Sequence, residues 1–324
     1  MEERFALTRR LAYTSFQSRI ASPIVFIFIS TMLFDESTLR KLNQLTLVAS
    51  RVRSGAIKGE RRSSRRGSSV EFADYRNYTA GDDLRRLDWN IYARLEKPFI
   101  KLLEEEEDLA VYVLIDGSRS MDWGEQEENK FKYTLRLAAG IGAIALSSGD
   151  LLSVGFLQGG RVASEFDPSR GQYALPRLFR FLEALKAGET TNLNTSLRDY
   201  SIQPRRTGLV ILISDLLTAD GYESGLRQLL GRGHEAAMIH ILAPDEIDPP
   251  LAGDLQLVDI ETNFEQDVSI DNGLRNLYRD RVQAWRQSIQ TDCRKHNVRY
   301  LDLVTSLSWD QALLLEMRRS GIAK

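Results

Sequence analysis

The chain has 324 residues, with 43 Lys and Arg against 45 Asp and Glu, for a net charge of −2. Hydrophobic residues make up 43% and charged residues 27%; these are globular values that exclude a fibrous or wholly disordered chain, and the balanced charge supplies no whole-chain pull toward nucleic acid or acidic membranes. The single cysteine, Cys293, excludes an intrachain disulfide, a four-cysteine zinc site and a CxxC motif, while His234, His240 and His296 lack the i,i+4 spacing of a helical metal pair.

Arg9, Arg10 and Arg19 precede an apolar run, Ile24 to Ile29, that ends near Phe34. A membrane helix needs about 20 apolar residues, so this run is too short, and no A-x-A cleavage pattern follows it. Residues 1–31 read as an N-terminal extension: either a buried strand or helix, or a stretch upstream of a natural start at Met32. The expected location is cytoplasmic, without membrane contact. From Met32 an acidic opening at Asp35 and Glu36 leads into helical spacing at Leu39, Leu42, Leu45 and Val48. Residues 51–66 then carry seven Arg and Lys against Glu60 alone. They read as a basic loop, which either docks phosphate, an acidic protein or a lipid headgroup, with Arg61, Arg62, Arg65 and Arg66 as the partner-binding residues, or is solvated with some arginines paired to nearby carboxylates. No aromatic residues interleave for base stacking, so no specific nucleic acid is expected.

Residues 70–101 alternate acids with arginines and interleave Phe72, Tyr75, Tyr78, Trp89 and Tyr92. Charges this dense pair with one another, and Phe72, Trp89 and Tyr92 are expected to be buried in an ion-paired, aromatic-packed block. Five acids, Glu104 to Asp108, follow and offer a partner for the basic loop.

From residue 109 strands and helices alternate. Leu109 to Ile115 is a near-continuous apolar strand, as expected when both faces are covered. A helix over 128–148 is rich in Ala and Gly. Strands 151–157 and 161–166 flank Gln158-Gly159-Gly160, a hairpin signal. Helices 175–186 and 193–200, strand 209–213, helix 222–231, strands 236–242 and 255–260, helix 273–296, strand 298–304 and a final helix, 309–319, complete the chain. The pattern predicts an α/β fold with a doubly wound, mostly parallel sheet. It divides the chain into the extension 1–31, an N-terminal segment 32–108, an α/β domain 109–306 and a C-terminal helix 307–324.

In such sheets ligands sit at the carboxyl ends of the strands. Strand 109–115 runs into Asp116-Gly117-Ser118-Arg119-Ser120, and strand 209–213 into Ser214-Asp215. Between them, the loop 188–192 offers a further hydroxyl from Thr190 or Thr191. Hard oxygen donors without Cys or His suit Mg²⁺ or Mn²⁺. Capping of the turn by Asp116 and Ser120 is the bland alternative. An ion held mainly by neutral hydroxyls keeps unspent positive charge and takes an external carboxylate. Asp116→Ala is expected to leave the fold intact, on the expectation of a solvent-facing loop.

The loop resembles the metal-ion-dependent adhesion site of von Willebrand factor A domains. The blocks EFADYRNYTAGDDLRRLDWNIYAR and KLLEEEEDLAVYVLIDGSRSM, with GDLLSVGFL and RRTGLVILISDLL, resemble the bacterial family called domain of unknown function 58, over about residues 32–320. The resemblance implies a von Willebrand A-like domain behind an N-terminal segment. It implies a metal set of Asp116, Ser118, Ser120, Thr191 and Asp215, with Thr191 preferred because the following Asn-Leu-Asn-Thr-Ser-Leu run resembles the family's next helix. It also implies a MoxR-type AAA+ ATPase, or its client, as partner. The third loop departs from the pattern, reading Ser-Asp-Leu-Leu where Thr-Asp-Gly is usual. The expected function is a non-enzymatic, metal-assisted protein-interaction module. The alternatives are an Mg²⁺-dependent hydrolase or phosphotransferase using Asp116 as nucleophile, and a binder of anionic surfaces using residues 51–66. Against the former, the loop has hydroxyls where a second acid is wanted, and no G-x-x-x-x-G-K-S/T motif is present.

Overall fold

The computed structural model describes residues 36–49, 70–79, 82, 87–105, 109–250, 253–258 and 265–324. The expectations for residues 1–31 and for Arg61, Arg62, Arg65 and Arg66 lie outside the described residues, as do the side chains of Phe72 and of Glu104 to Asp108.

A short helix, α1 (Glu36–Leu42), is followed by β1 (Val70–Asn77), α2 (Trp89–Leu95) and β2 (Phe99–Glu105). β1 and β2 form an antiparallel pair of their own. Asp88 caps α2 by accepting from the backbone N–H groups of Asn90 and Ile91 at 2.9 and 3.2 Å. No residue of α2 is buried. Trp89 is 63% exposed and Tyr92 44%, which corrects the expected burial of these aromatics. They pack edge to face on each other, at 6.1 Å between centroids, while the segment is anchored by Leu87, Asp88 and Ile100, which are buried.

The body of the chain follows: β3 (Ala110–Asp116), α3 (Lys130–Ser147), β4 (Leu151–Gln158), β5 (Arg161–Ser169), α4 (Leu175–Glu183), α5 (Leu193–Ile202), β6 (Leu209–Ser214), α6 (Glu223–Gly231), β7 (Glu235–Leu242) and the single turn α7 (Pro244–Ile247). A hairpin, β8 (Gly253–Val258) with β9 (Glu265–Ile270), precedes the long α8 (Asn272–Lys295) and the last strand, β10 (Arg299–Val304). The strand expected at 255–260 thus belongs to a separate two-stranded sheet. Its partner β9 has a sequence, EQDVSI, too charged to announce a strand. The C-terminal stretch is α9 (Trp309–Gln311), a π-helical turn (Ala312–Glu316) and α10 (Met317–Arg319).

Six strands form the central sheet in the order β10-β7-β6-β3-β4-β5. All neighbours are parallel except β4 and β5, so the fold is α/β with a doubly wound, mostly parallel sheet. β3 is buried along its whole length, and its side chains serve two cores. Val111, Val113 and Ile115 pack with Leu137, Ile141 and Ile144 of α3. Tyr112 and Leu114 pack with Leu197 and Tyr200 of α5 and Leu226 of α6. Each such aliphatic side chain contributes about 1.5–3 kcal/mol on burial.

The small residues of α3 let it lie close to its neighbours. A Cβ on Gly140 would stand 2.2 Å from Leu313 Cδ1, so the C-terminal turn is seated directly on this helix. Residues 46–48 pair with the chain end: Thr46 and Lys324 exchange backbone hydrogen bonds at 3.1 and 2.9 Å, and Val48 N–H donates to Ile322 O at 2.9 Å. β5, the antiparallel edge strand, contains Pro168 and meets β4 with two register shifts.

Candidate cation site at the centre of the sheet

β3 and β6 are parallel neighbours in mid-sheet. The chain crosses to one side after β3 and to the other after β6, so the topological switch point lies between their carboxyl ends, where open α/β sheets bind ligands. Asp116 ends β3, and Asp215 directly follows β6. Both sit at this point, as the sequence pattern predicts.

The loop after β3 is tightly specified. Gly117 N–H donates to Leu157 O at 2.9 Å, and a Cβ on Gly117 would lie 2.3 Å from the Phe156 ring, so glycine is required by close approach. Ser118 N–H donates to Asp116 Oδ1 at 2.9 Å. The hydroxyl oxygens of Ser118 and Ser120 stand 3.0 Å apart. Neighbouring ligands of an octahedral Mg²⁺ with bonds of about 2.1 Å are themselves about 3.0 Å apart, so the two hydroxyls already have the spacing of adjacent ligands.

The loop 188–191 is strapped against this turn. Arg119 N–H donates to Glu189 O at 2.9 Å, Gly188 N–H to Gly117 O at 3.2 Å, and Gly159 N–H to Thr190 O at 3.1 Å. Thr191 is buried and Thr190 exposed; Thr191 Oγ1 reaches Leu157 O only at 3.5 Å, which leaves that hydroxyl weakly engaged. The side chain of Arg119 is exposed.

Asp116, Ser118, Ser120, Thr191 and Asp215 are all buried. The loop is therefore not solvent-facing, and truncation at Asp116 touches the folded interior, contrary to the expectation of an indifferent fold. Ser214 Oγ donates to Asp116 Oδ2 at 2.6 Å, so both oxygens of this carboxylate are oriented by hydrogen bonds. Burial, and then the charge of Asp215, push the Asp116 carboxyl up to about 6. That cost of burying carboxylates together is what a cation would relieve.

Two features escaped the sequence. Lys130, the first residue of α3, has a wholly buried side chain whose Nζ donates to Asp215 Oδ2 and to Glu246 Oε1, each at 2.6 Å. Glu246 lies on α7 just beyond β7, and its Oε2 accepts from Ala243 N–H at 2.8 Å. The second is Leu216, which has a φ of 56°, the left-handed region that favours glycine. The absent glycine of the third loop is thus replaced by a strained leucine, with Leu217 N–H donating to Asp215 Oδ1 at 3.0 Å. Behind the site, His240 Nε2 contacts Asp215 O at 3.0 Å and Nδ1 contacts Tyr300 Oη at 2.7 Å. Burial holds this imidazole down to about 4, so it is neutral.

The donor set fits a hard divalent cation: two hydroxyls at ligand spacing, a third in the adjoining loop, and two carboxylates held in place around them. Among the described residues no three His, Cys, Asp or Glu side chains cluster as a metal site, so a cation here depends on the hydroxyls. Among the same residues no helix is long and apolar enough to cross a membrane.

A family model described as "Protein of unknown function DUF58" matches residues 74–288. An uncharacterized protein of Mycobacterium tuberculosis (strain ATCC 25618 / H37Rv) is 27% identical over 293 residues, covering 89% of this chain and 92% of that protein. Among solved structures, the conserved hypothetical protein BatB from Bacteroides thetaiotaomicron is similar at 15% identity and a TM-score of 0.39, over 65% of this chain and 98% of its own. Proximal thread matrix protein 1 from the mussel byssus, in a form with a zinc-occupied MIDAS motif, is similar at 15% identity and a TM-score of 0.33, over 41% of this chain and 38% of its own. The strand order carries the fold, a doubly wound, mostly parallel α/β sheet with one antiparallel edge strand.

Proposed function

Because the chain belongs to the family of proteins of unknown function DUF58, we propose that it is a non-enzymatic protein-interaction module, one that holds Mg²⁺ or Mn²⁺ at the switch point and offers it to a carboxylate of another protein. The observation that carries this reading is the 3.0 Å pair of Ser118 and Ser120 hydroxyls, set beside Asp116 at the end of a central strand. Neutral ligands leave the ion under-neutralised, and Mg²⁺ keeps several exchangeable waters. In this reading Ser118, Ser120 and Thr191 supply hydroxyls, while Asp116 and Asp215 hold the ion's shell in place. The proposed partner is a MoxR-type AAA+ ATPase or its client, which rests on the family resemblance alone. Basic-surface docking through residues 51–66 lies outside the described residues.

The test is Mg²⁺ and Mn²⁺ titration of the full chain, followed by melting temperature, in the wild type and in a Ser118→Ala/Ser120→Ala double variant. A ligand at 100 times its Kd stabilises by about 2.7 kcal/mol, so the wild type should melt higher with the ion and the variant should not. Capture of a co-produced MoxR-type ATPase should then need the ion and fail with chelator. Equal melting with and without both ions in the wild type refutes the reading.

A further inference from the structure

Lys130 is an odd residue for its place. A cation at the first position of a helix opposes the macrodipole, and an ammonium taken wholly out of water is costly unless paired. Both partners are carboxylates from other parts of the chain, Asp215 after β6 and Glu246 after β7. The ammonium stands on the same Asp215 that borders the candidate cation site. Two carboxylates, Asp215 and Glu246, face the one ammonium, and Asp116 feels the charge of Asp215, so the surroundings have room for further positive charge. Glu246 is the more accessible of the lysine's partners, with a side chain 17% exposed against 1% for Asp215.

We propose that Lys130 is the resident counter-ion of the cation site, competing with the divalent ion for the charge of Asp215, and that Glu246 is the seat that draws the ammonium off Asp215 when the ion binds. The inference rests on the cation-site reading above and adds what sets its affinity. Two cations cannot share Asp215 without repelling each other, and the repulsion is weakly screened at a buried site. Removing the ammonium leaves Asp215 free to face the ion. Removing the charge of Glu246 leaves the ammonium on Asp215 alone and adds unbalanced positive charge beside the site. The two substitutions therefore act in opposite directions on the ion, although both break the same ion pair. A role confined to holding the fold together predicts no such divergence.

The experiment is calorimetric titration of the full chain with Mn²⁺, alongside melting temperature with and without Mn²⁺. Changes around metal ligands commonly move affinity by 10- to 100-fold. Lys130→Met should tighten Mn²⁺ binding by about tenfold or more, Glu246→Gln should weaken it by about tenfold, and Lys130→Arg, which keeps the charge, should stay near the wild type. Should Lys130→Met fail to fold, Glu246→Gln and Lys130→Arg carry the comparison. Absence of Mn²⁺ uptake by the wild type, even where Lys130→Met takes it up, overturns the cation-site reading and this inference with it. Uptake that is lost in Ser118→Ala/Ser120→Ala but unchanged within twofold in Lys130→Met and Glu246→Gln overturns this inference and leaves the cation site standing. Absence of uptake in both the wild type and Lys130→Met overturns the two together.

Discussion

Ser214 Oγ donates to Asp116 Oδ2 across 2.6 Å, so the ends of the two central strands are joined side chain to side chain. The same hydroxyl accepts from Leu216 N–H at 2.9 Å. It therefore fixes both the carboxylate of one strand end and the turn that follows the other. Ser214→Ala leaves a buried carboxylate oxygen and a buried N–H short of partners, which costs about 1–3 kcal/mol each at most. The expected result is a loss of at least about 1 kcal/mol in urea unfolding, with little change in the slope of the transition. A neutral outcome would mean that water replaces the hydroxyl.

The pH dependence of stability should expose two opposed titrations. Asp116 is raised to about 6 in the folded chain, from about 3.9 when unfolded. Between those values the folded state binds more protons, so this group makes stability fall as pH rises from about 4 to 6. His240 is lowered to about 4, from about 6.5 when unfolded. There the unfolded state binds more protons, and stability falls as pH drops from about 6.5 to 4. The two contributions run in opposite directions across the same acidic window and oppose each other. Asp116→Asn should lose stability more steeply than the wild type on acidification from pH 6.5 to 4, and His240→Gln less steeply. Identical pH profiles in all three proteins would remove both titrations.

Gly117→Ala should be harmful for a reason of space. The new Cβ would meet the ring of Phe156, which is itself buried and packed against Phe131 with centroids 6.0 Å apart. Overpacking of this kind costs about 1–3 kcal/mol. Phe156→Leu in the same chain should recover part of that loss, and a double variant no more stable than Gly117→Ala would place the cause in the backbone instead.

Trp89→Ala should cost less than about 1 kcal/mol, because the ring is 63% exposed and surface changes are small. Asp88→Ala should cost about 1 kcal/mol or more, through loss of the cap on α2 and of the Tyr75 hydroxyl bond at 3.0 Å. Chemical unfolding of the two variants side by side checks the order. A larger loss for Trp89→Ala would contradict it.

The residues at the two strand ends were legible because they depend on local pattern: an apolar run buried on both faces, then a polar turn. Lys130 was not, because nothing near it in sequence marks it. It lies in the run Glu-Glu-Asn-Lys-Phe-Lys, which reads as a solvated helix start, and its partners are 85 and 116 residues away. Trp89 and Tyr92 misled for the converse reason. Their spacing implies a packed face, but the helix is held by its cap and by Leu87 before it, and the aromatics are left facing outward. The strained Leu216 is visible only in the backbone angle, since its side chain is an ordinary buried leucine.

The edge strand β5 bears on how molecules of this protein behave at high concentration. An exposed sheet edge offers unpaired backbone groups to any extended chain that approaches. Here Pro168 removes one backbone donor from the strand, and two irregularities in its pairing with β4 bend it away from the straight template that strand addition requires. The sheet is blunted on this side against growth from one copy to the next, so clumping by edge-to-edge pairing is suppressed there without any help from a partner.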